Sequence, residues 1–167
     1  MVIIGFDPGT AIMGYGIIES SGKGEKPVVL DFGCILTPSS DHPGDRLKTI
    51  YQETGILIKK HKPDIIAIES LFFFKNMKTV MPVSQAKGVA LLAAAQKNVP
   101  TFEFTPLQVK MTITGYGKAS KQQMQSMIKE LVDLSAFDVK KMGRKKDDAF
   151  DALGVALCGL FQSMATF

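Results

Sequence analysis

The chain begins with an unbroken apolar run, Val-Ile-Ile-Gly-Phe over residues 2–6, closed by Asp7, Pro8 and Gly9. A run that does not alternate predicts a strand buried on both faces. Pro followed by Gly predicts the turn that ends it. Residues 13–19 and 28–37 read as two further strands, with Ser21-Gly22-Lys23-Gly24 suited to the hairpin between them. Between residues 45 and 60, Leu47, Ile50, Tyr51, Leu57 and Ile58 recur at helical spacing. Pro63 stops that helix, and residues 64–69 form another apolar strand ending in an acid, Glu69. Residues 80–97 predict an alanine-rich helix, Pro100 its end, and residues 101–104 a short strand. Thr105-Pro106-Leu107-Gln108 has the form of a capped helix start, and Ser120 with Gln123 repeats it before a helix reaching Leu134. A last helix runs from near Asp147 to the C-terminus. The predicted class is α/β, a mixed five-stranded sheet flanked by helices.

At 167 residues the chain is expected to be one domain, with a core large enough to need no disulfide or metal staple. Cys34 and Cys158 lie far apart in apolar contexts, and no Cys-x-x-Cys or Cys/His cluster exists. That argues against zinc and predicts two buried thiols in a reducing compartment. The longest apolar run, residues 152–161, is too short to span a bilayer. Residues 1–7 lack the basic start and cleavage site of a signal peptide, so the expected location is the cytoplasm. The net charge of +4 is unevenly spread: residues 97–146 carry ten of the 20 basic side chains and four of the 16 acids. A basic third beside acids suits a polyanion held near metal-binding carboxylates; a solvated lysine surface accounts for the charge equally well.

The acids carry more information. Two hairpin connections followed by a helical crossover return strand 64–69 parallel to strand 2–7, and neighbouring strands lie about 4.8 Å apart. Asp7 and Glu69 then share one sheet edge, where open α/β sheets place ligands. Two unpaired carboxylates that close repel, unless a cation lies between them. Asp148 and Asp151 are three residues apart, on one face of the last helix, whose apolar remainder must pack into the fold. Four acids from three elements form a hard-oxygen set suited to Mg²⁺, with Mn²⁺ as substitute. Two such ions per site would serve an in-line phosphoryl displacement. Taken singly, Asp-Pro-Gly also makes an ordinary turn, and acids opening a helix commonly serve capping and the macrodipole. The joint placement is what argues for a site.

With those residues in place, the chain resembles the RuvC-type Holliday junction resolvases, crossover junction endodeoxyribonucleases of the RNase H-like superfamily. The resemblance spans residues 2–159. It is carried by IIGFDPGTAIMGYGII, IAIESLFFFKN, SQAKGVALLAA, FEFTPLQVKMTITGYGKASKQQM and DDAFDALGVALC. It implies an RNase H-like fold and a homodimer that binds four-way DNA junctions in recombination and repair. It also implies symmetric nicks leaving 5′-phosphate and 3′-hydroxyl ends. The matching catalytic and metal-binding acids are Asp7, Glu69, Asp148 and Asp151; Asp147 is left an assisting part. Lys110 and Lys121 match basic residues near the phosphate, and Lys118 and Lys75 join them as expected DNA contacts. Three aromatics follow Glu69 closely, and the match puts base stacking on Phe72, with Phe73 as the substitute. A RuvA–RuvB branch-migration complex is the further partner relatives imply.

Two departures stand out. The segment between Leu134 and Asp148, with five basic residues at positions 140–146, is longer and more basic than the family pattern, and Phe150 replaces a small residue between the two aspartates. Phe150 is expected to turn away from the acids, being one residue off the direction of Asp151. The small-residue run 88–95 suits close helix approach, within the chain or across a dimer. Competing readings are an RNase H-like nuclease acting on RNA or duplex DNA, an actin- or sugar-kinase-like ATPase, and a junction-binding protein without catalysis. The ATPase reading needs a second domain around the nucleotide, for which 167 residues leave no room.

Overall fold

A computed structural model of the chain describes residues 1–22, 24–70, 77–139 and 146–165. Its elements follow the order β1 (Val2–Asp7), β2 (Ile12–Glu19), β3 (Val28–Leu36), α1 (Pro43–His61), β4 (Ile65–Glu69), α2 (Met77–Ala95), β5 (Thr101–Phe104), α3 (Pro106–Thr114), α4 (Lys121–Leu131) and α5 (Lys146–Ala165). The strands form one five-stranded sheet in the order β3-β2-β1-β4-β5. β1 pairs antiparallel with β2 and parallel with β4, and β4 pairs parallel with β5. This is the mixed sheet that the element order predicts.

Strand alternation divides the core in two. Ile4, Phe6, Met13, Ile17, Ile35, Ile66 and Ile68 face α1 and α2, where Ile50, Leu57, Ile58, Ala86, Ala90, Ala93 and Ala94 meet them. These four alanines of α2 are thus used within the chain. On the other face Ile3, Ile18, Phe32, Ile65 and Ala67 pack under α5 and the α3–α4 pair. Residues 152–160 of α5 are all buried, as befits a helix apolar all round. Among the described residues no helix is long and apolar enough to cross a membrane.

The approach of α5 to the sheet depends on absent side chains. A Cβ on Gly5 would stand 2.2 Å from the carbonyl oxygen of Ala152 and 2.4 Å from the amide of Ala156. One on Gly14 would stand 2.1 Å from the carbonyl oxygen of Asp148, and one on Gly16 would stand 2.8 Å from Leu153 Cα. These contacts are closer than any side chain permits, so the glycines of β1 and β2 form the floor on which α5 lies.

Several boundaries differ from the sequence reading. α1 starts at Pro43 rather than residue 45, with His42 capping it by accepting from the Gly44 amide. α2 starts at Met77, ahead of residue 80, and carries Pro82 inside. α4 ends at Leu131 rather than Leu134: Val132 is extended (φ −121°, ψ 157°), and Asp133 bridges to Val28 beside the edge strand. Both capping boxes, Thr105 with Gln108 and Ser120 with Gln123, are present. Cys158 is buried, but Cys34 is only half-buried because β3 is a sheet edge.

Candidate active site

The parallel pairing of β1 with β4 runs from Ile3 opposite Ile65 to Phe6 opposite Ile68. One step further, it brings Asp7 and Glu69 to adjacent strand ends. The Asp7 carboxyl lies within hydrogen-bonding reach of Glu69. α5 begins over the same edge, because the Asp148 backbone rests on Gly14 and Gly14 is the β2 partner of Asp7. Asp148 and Asp151 then both lie close enough to act on Asp7 through their charge.

Burial, then Glu69, Asp151 and Asp148, push the Asp7 carboxyl up to about 8. Burial and Asp151 push Glu69 up to about 7, partly opposed by the Asp7 hydrogen bond and the Lys110 charge. Burial also raises Asp151, against the pull of Lys121. Without a cation, the site therefore holds protons at neutral pH that an unfolded chain releases. Between the ordinary carboxylate range near pH 4 and about pH 8 the folded state binds more protons, so its stability falls as pH rises. The expected result is a lower melting temperature at pH 8 than at pH 5 in chelator. That difference should shrink in Asp7→Asn and on adding Mg²⁺; equal pH dependence in the two proteins would count against mutual repulsion at this edge.

Lys121, at the start of α4, reaches into the acids: its ammonium is 3.1 Å from Asp151 Oδ2 and 3.8 Å from Asp147 Oδ2. Burial lowers its pKa, but Asp151, Asp147 and Asp148 outweigh that and leave it above the usual lysine value. One turn on, Gln125 Nε2 donates to Asp147 Oδ1 at 2.8 Å. Asp147 is thereby engaged by α4. Gln125 had no signal in the sequence beyond its i+4 spacing from Lys121.

Lys110 is half-buried and acts on Glu69 from α3. Lys118 is exposed on the turn between α3 and α4. Phe150 turns away, as expected: it is fully buried, and its ring meets Phe32 edge-on at 5.8 Å. Phe72, Phe73, Lys75 and residues 140–145 lie outside the described residues.

Among the described residues no three acidic, histidine or cysteine side chains already stand as a ligand group for a metal. The donor set nevertheless fits a hard divalent cation. Four carboxylates share one edge, burial and mutual repulsion hold Asp7 and Glu69 above the usual carboxylate range, and the compensating charges are Lys121 and, at Glu69, Lys110.

A family model described as crossover junction endodeoxyribonuclease RuvC matches residues 3–159. The crossover junction endodeoxyribonuclease RuvC of Alkaliphilus oremlandii is 50% identical over 158 residues, covering 95% of this chain and 92% of that protein. That of Desulforamulus reducens is 49% identical over 159 residues, with the same coverage of 95% and 92%. The Thermus thermophilus RuvC structure superimposes with a TM-score of 0.87 at 28% identity, covering 99% of this chain and 97% of that one. A T. thermophilus RuvC in complex with Holliday junction substrate gives 0.87 at 26% identity, covering 99% and 96%.

Proposed function

The chain belongs to the RuvC family of crossover junction endodeoxyribonucleases, and from that premise we propose that it resolves four-way DNA junctions by metal-dependent phosphodiester hydrolysis at the edge where Asp7, Glu69, Asp148 and Asp151 meet. The observation that supports this most is the convergence itself. Acids from the first strand, the fourth strand and the last helix influence one another's ionisation, and a lysine lies among them.

Asp7, Glu69, Asp148 and Asp151 would hold two Mg²⁺ ions, with Mn²⁺ as a substitute. Such ions, when bound, supply Lewis acidity for an attacking water and for the departing oxygen. The chain's own residues do the rest. The carboxylates fix the edge against which the scissile phosphate is presented. Lys121 leaves Asp151 for a non-bridging phosphate oxygen, whose charge grows as the water oxygen bonds to phosphorus. Lys110, on α3, offsets the charge of Glu69. Hydrolysis breaks the bond to the 3′ oxygen, leaving a 3′-hydroxyl and a 5′-phosphate. Phe72, or Phe73 in its place, stacks on an unpaired base at the crossover, and Lys75 and Lys118 hold the backbone.

Symmetric cutting needs two sites, so the active species is a homodimer. Met81, Gly88 and Leu92 lie on one stripe of α2; the two large side chains are 67% and 52% exposed, and the Gly88 Cβ position is open. A second copy meeting this stripe would bury it. Leu92→Asp is expected to shift the protein toward monomer in sedimentation velocity while its melting temperature stays close to wild type; an unchanged dimer would place the interface elsewhere. The cytoplasm is the expected site of action, and a RuvA–RuvB complex the expected further partner.

The direct test compares end-labelled four-way junction, linear duplex and structured RNA in Mg²⁺. Paired cuts on the junction alone are expected, and equal rates on all three would remove the resolvase reading. Junction binding should weaken steeply with salt as phosphate contacts release counterions, and Lys118→Ala should reduce the log–log slope by about 1. A flat salt response would take the basic surface out of the contact.

A further inference from the structure

Most of the acid-bearing edge follows from strand register, but register alone does not set where along its axis α5 stops. Two backbone contacts do. The Asp148 carbonyl oxygen lies 2.1 Å from where a Gly14 Cβ would be, and the Ala152 carbonyl oxygen 2.2 Å from where a Gly5 Cβ would be. Residues 148 and 152 are one helical turn apart, and the two glycines sit on adjacent, paired strands. Each oxygen takes up space that a side chain on the strand would need. Together they fix both the height and the rotation of the helix.

Gly14 differs from the other glycines under α5. It is paired across the ladder with Asp7, and the backbone above it belongs to Asp148. It is the point at which the first strand's acid and the last helix's acid are held in fixed relation. Gly16 meets Leu153, past both aspartates.

We propose that Gly14 is a positioning residue for Asp148, setting the distance between the Asp7 and Asp148 carboxylates and so the affinity of the site for divalent cations. The inference rests on the reading that these acids hold a metal. A methyl group at residue 14 would lift the first turn of α5 while leaving every carboxylate chemically intact. The loss should therefore appear as weaker ion binding and slower cutting, with junction affinity retained.

The test compares Gly14→Ala with Gly16→Ala, whose methyl would also overlap backbone of the same helix, more mildly, at 2.8 Å from Leu153 Cα and N. Mn²⁺ affinity is measured by titration calorimetry and electron paramagnetic resonance, melting temperature in chelator, and junction cleavage in parallel. Both variants are expected to melt lower than wild type. Gly14→Ala is expected to weaken Mn²⁺ binding by about tenfold or more, the range found when groups supporting metal ligands are lost, and Gly16→Ala to leave it near wild type. Gly14→Ala/Asp148→Glu, with its longer carboxylate, should regain part of the affinity that Gly14→Ala alone loses. Equal Mn²⁺ affinity in the two single variants, or no recovery in the double variant, would overturn the proposal. So would a Gly14→Ala protein that fails to fold where Gly16→Ala folds, since the glycine would then serve packing alone. A wild-type protein that neither binds Mn²⁺ nor cuts junctions would instead sink the metal-site reading on which the proposal stands.

Discussion

Asp7→Asn is expected to slow junction cleavage by on the order of a thousandfold or more, about 4 kcal/mol of transition-state stabilisation, while binding of the junction persists. Asp7 is the member of the acid group that senses all the others: Glu69, Asp151 and Asp148 each raise its pKa. Asn matches it in size and leaves the strand pairing with Gly14 undisturbed, so the architecture is expected to persist, with only the pH dependence of its stability altered. On the proposed metal site, the change removes one oxygen ligand where ions would be held close to the reacting phosphate. Asn is neutral, as the Asp7 carboxyl largely is at neutral pH without a cation, so affinity for the junction in chelator should at least equal that of the parent. Single-turnover cleavage in Mg²⁺ and gel shift in chelator separate the two effects. A variant that cuts at the normal rate would place the metal site elsewhere.

Gly5→Ala should produce the largest change in stability. The added methyl would meet the Ala152 oxygen at 2.2 Å, the Ala156 nitrogen at 2.4 Å and the Ala156 Cα at 2.9 Å. All three are backbone atoms and cannot rotate aside, so α5 must lift from the sheet and loosen the core around Ile3, Ala67 and Leu153. Overpacking of this kind costs about 3 kcal/mol or more, a fall in melting temperature of roughly 10 °C for a chain of this size. Gly55 supplies the contrast. It lies within α1 with nothing near its Cβ position, and Gly55→Ala should stabilise by about 0.5–1 kcal/mol through helix propensity. Thermal denaturation of both variants checks the opposite signs. A Gly5→Ala protein melting with the parent would mean that α5 can rise without cost.

The parts of this architecture written in local pattern were legible from the chain. Unbroken apolar runs marked β1 and β4, terminal acids marked their shared edge, and Ser or Thr followed by Gln marked the starts of α3 and α4. Features that depend on what lies opposite were not. Nothing local ends α4 at Leu131; Val132 leaves the helix because Asp133 bridges to Val28, more than a hundred residues earlier. Cys34 reads as a core thiol until β3 proves to be an edge. Gly5, Gly14 and Gly16 look like ordinary strand residues, since their role exists only once α5 is laid across them. Of the site, the acids could be found by placing strand ends side by side. The hold of Gln125 on Asp147 could not, because it joins two helices whose packing the sequence does not state.

The contact between the earliest strands and the final helix has a bearing on biosynthesis. Asp7 and Glu69 leave the ribosome well before Asp148 and Asp151, and the floor beneath α5 stays empty until the segment Lys146–Ala165 emerges. A nascent polypeptide that has not yet reached α5 therefore carries only half of the proposed acidic set, so on that reading DNA-cutting capacity arises only after residues 146–165 have been made.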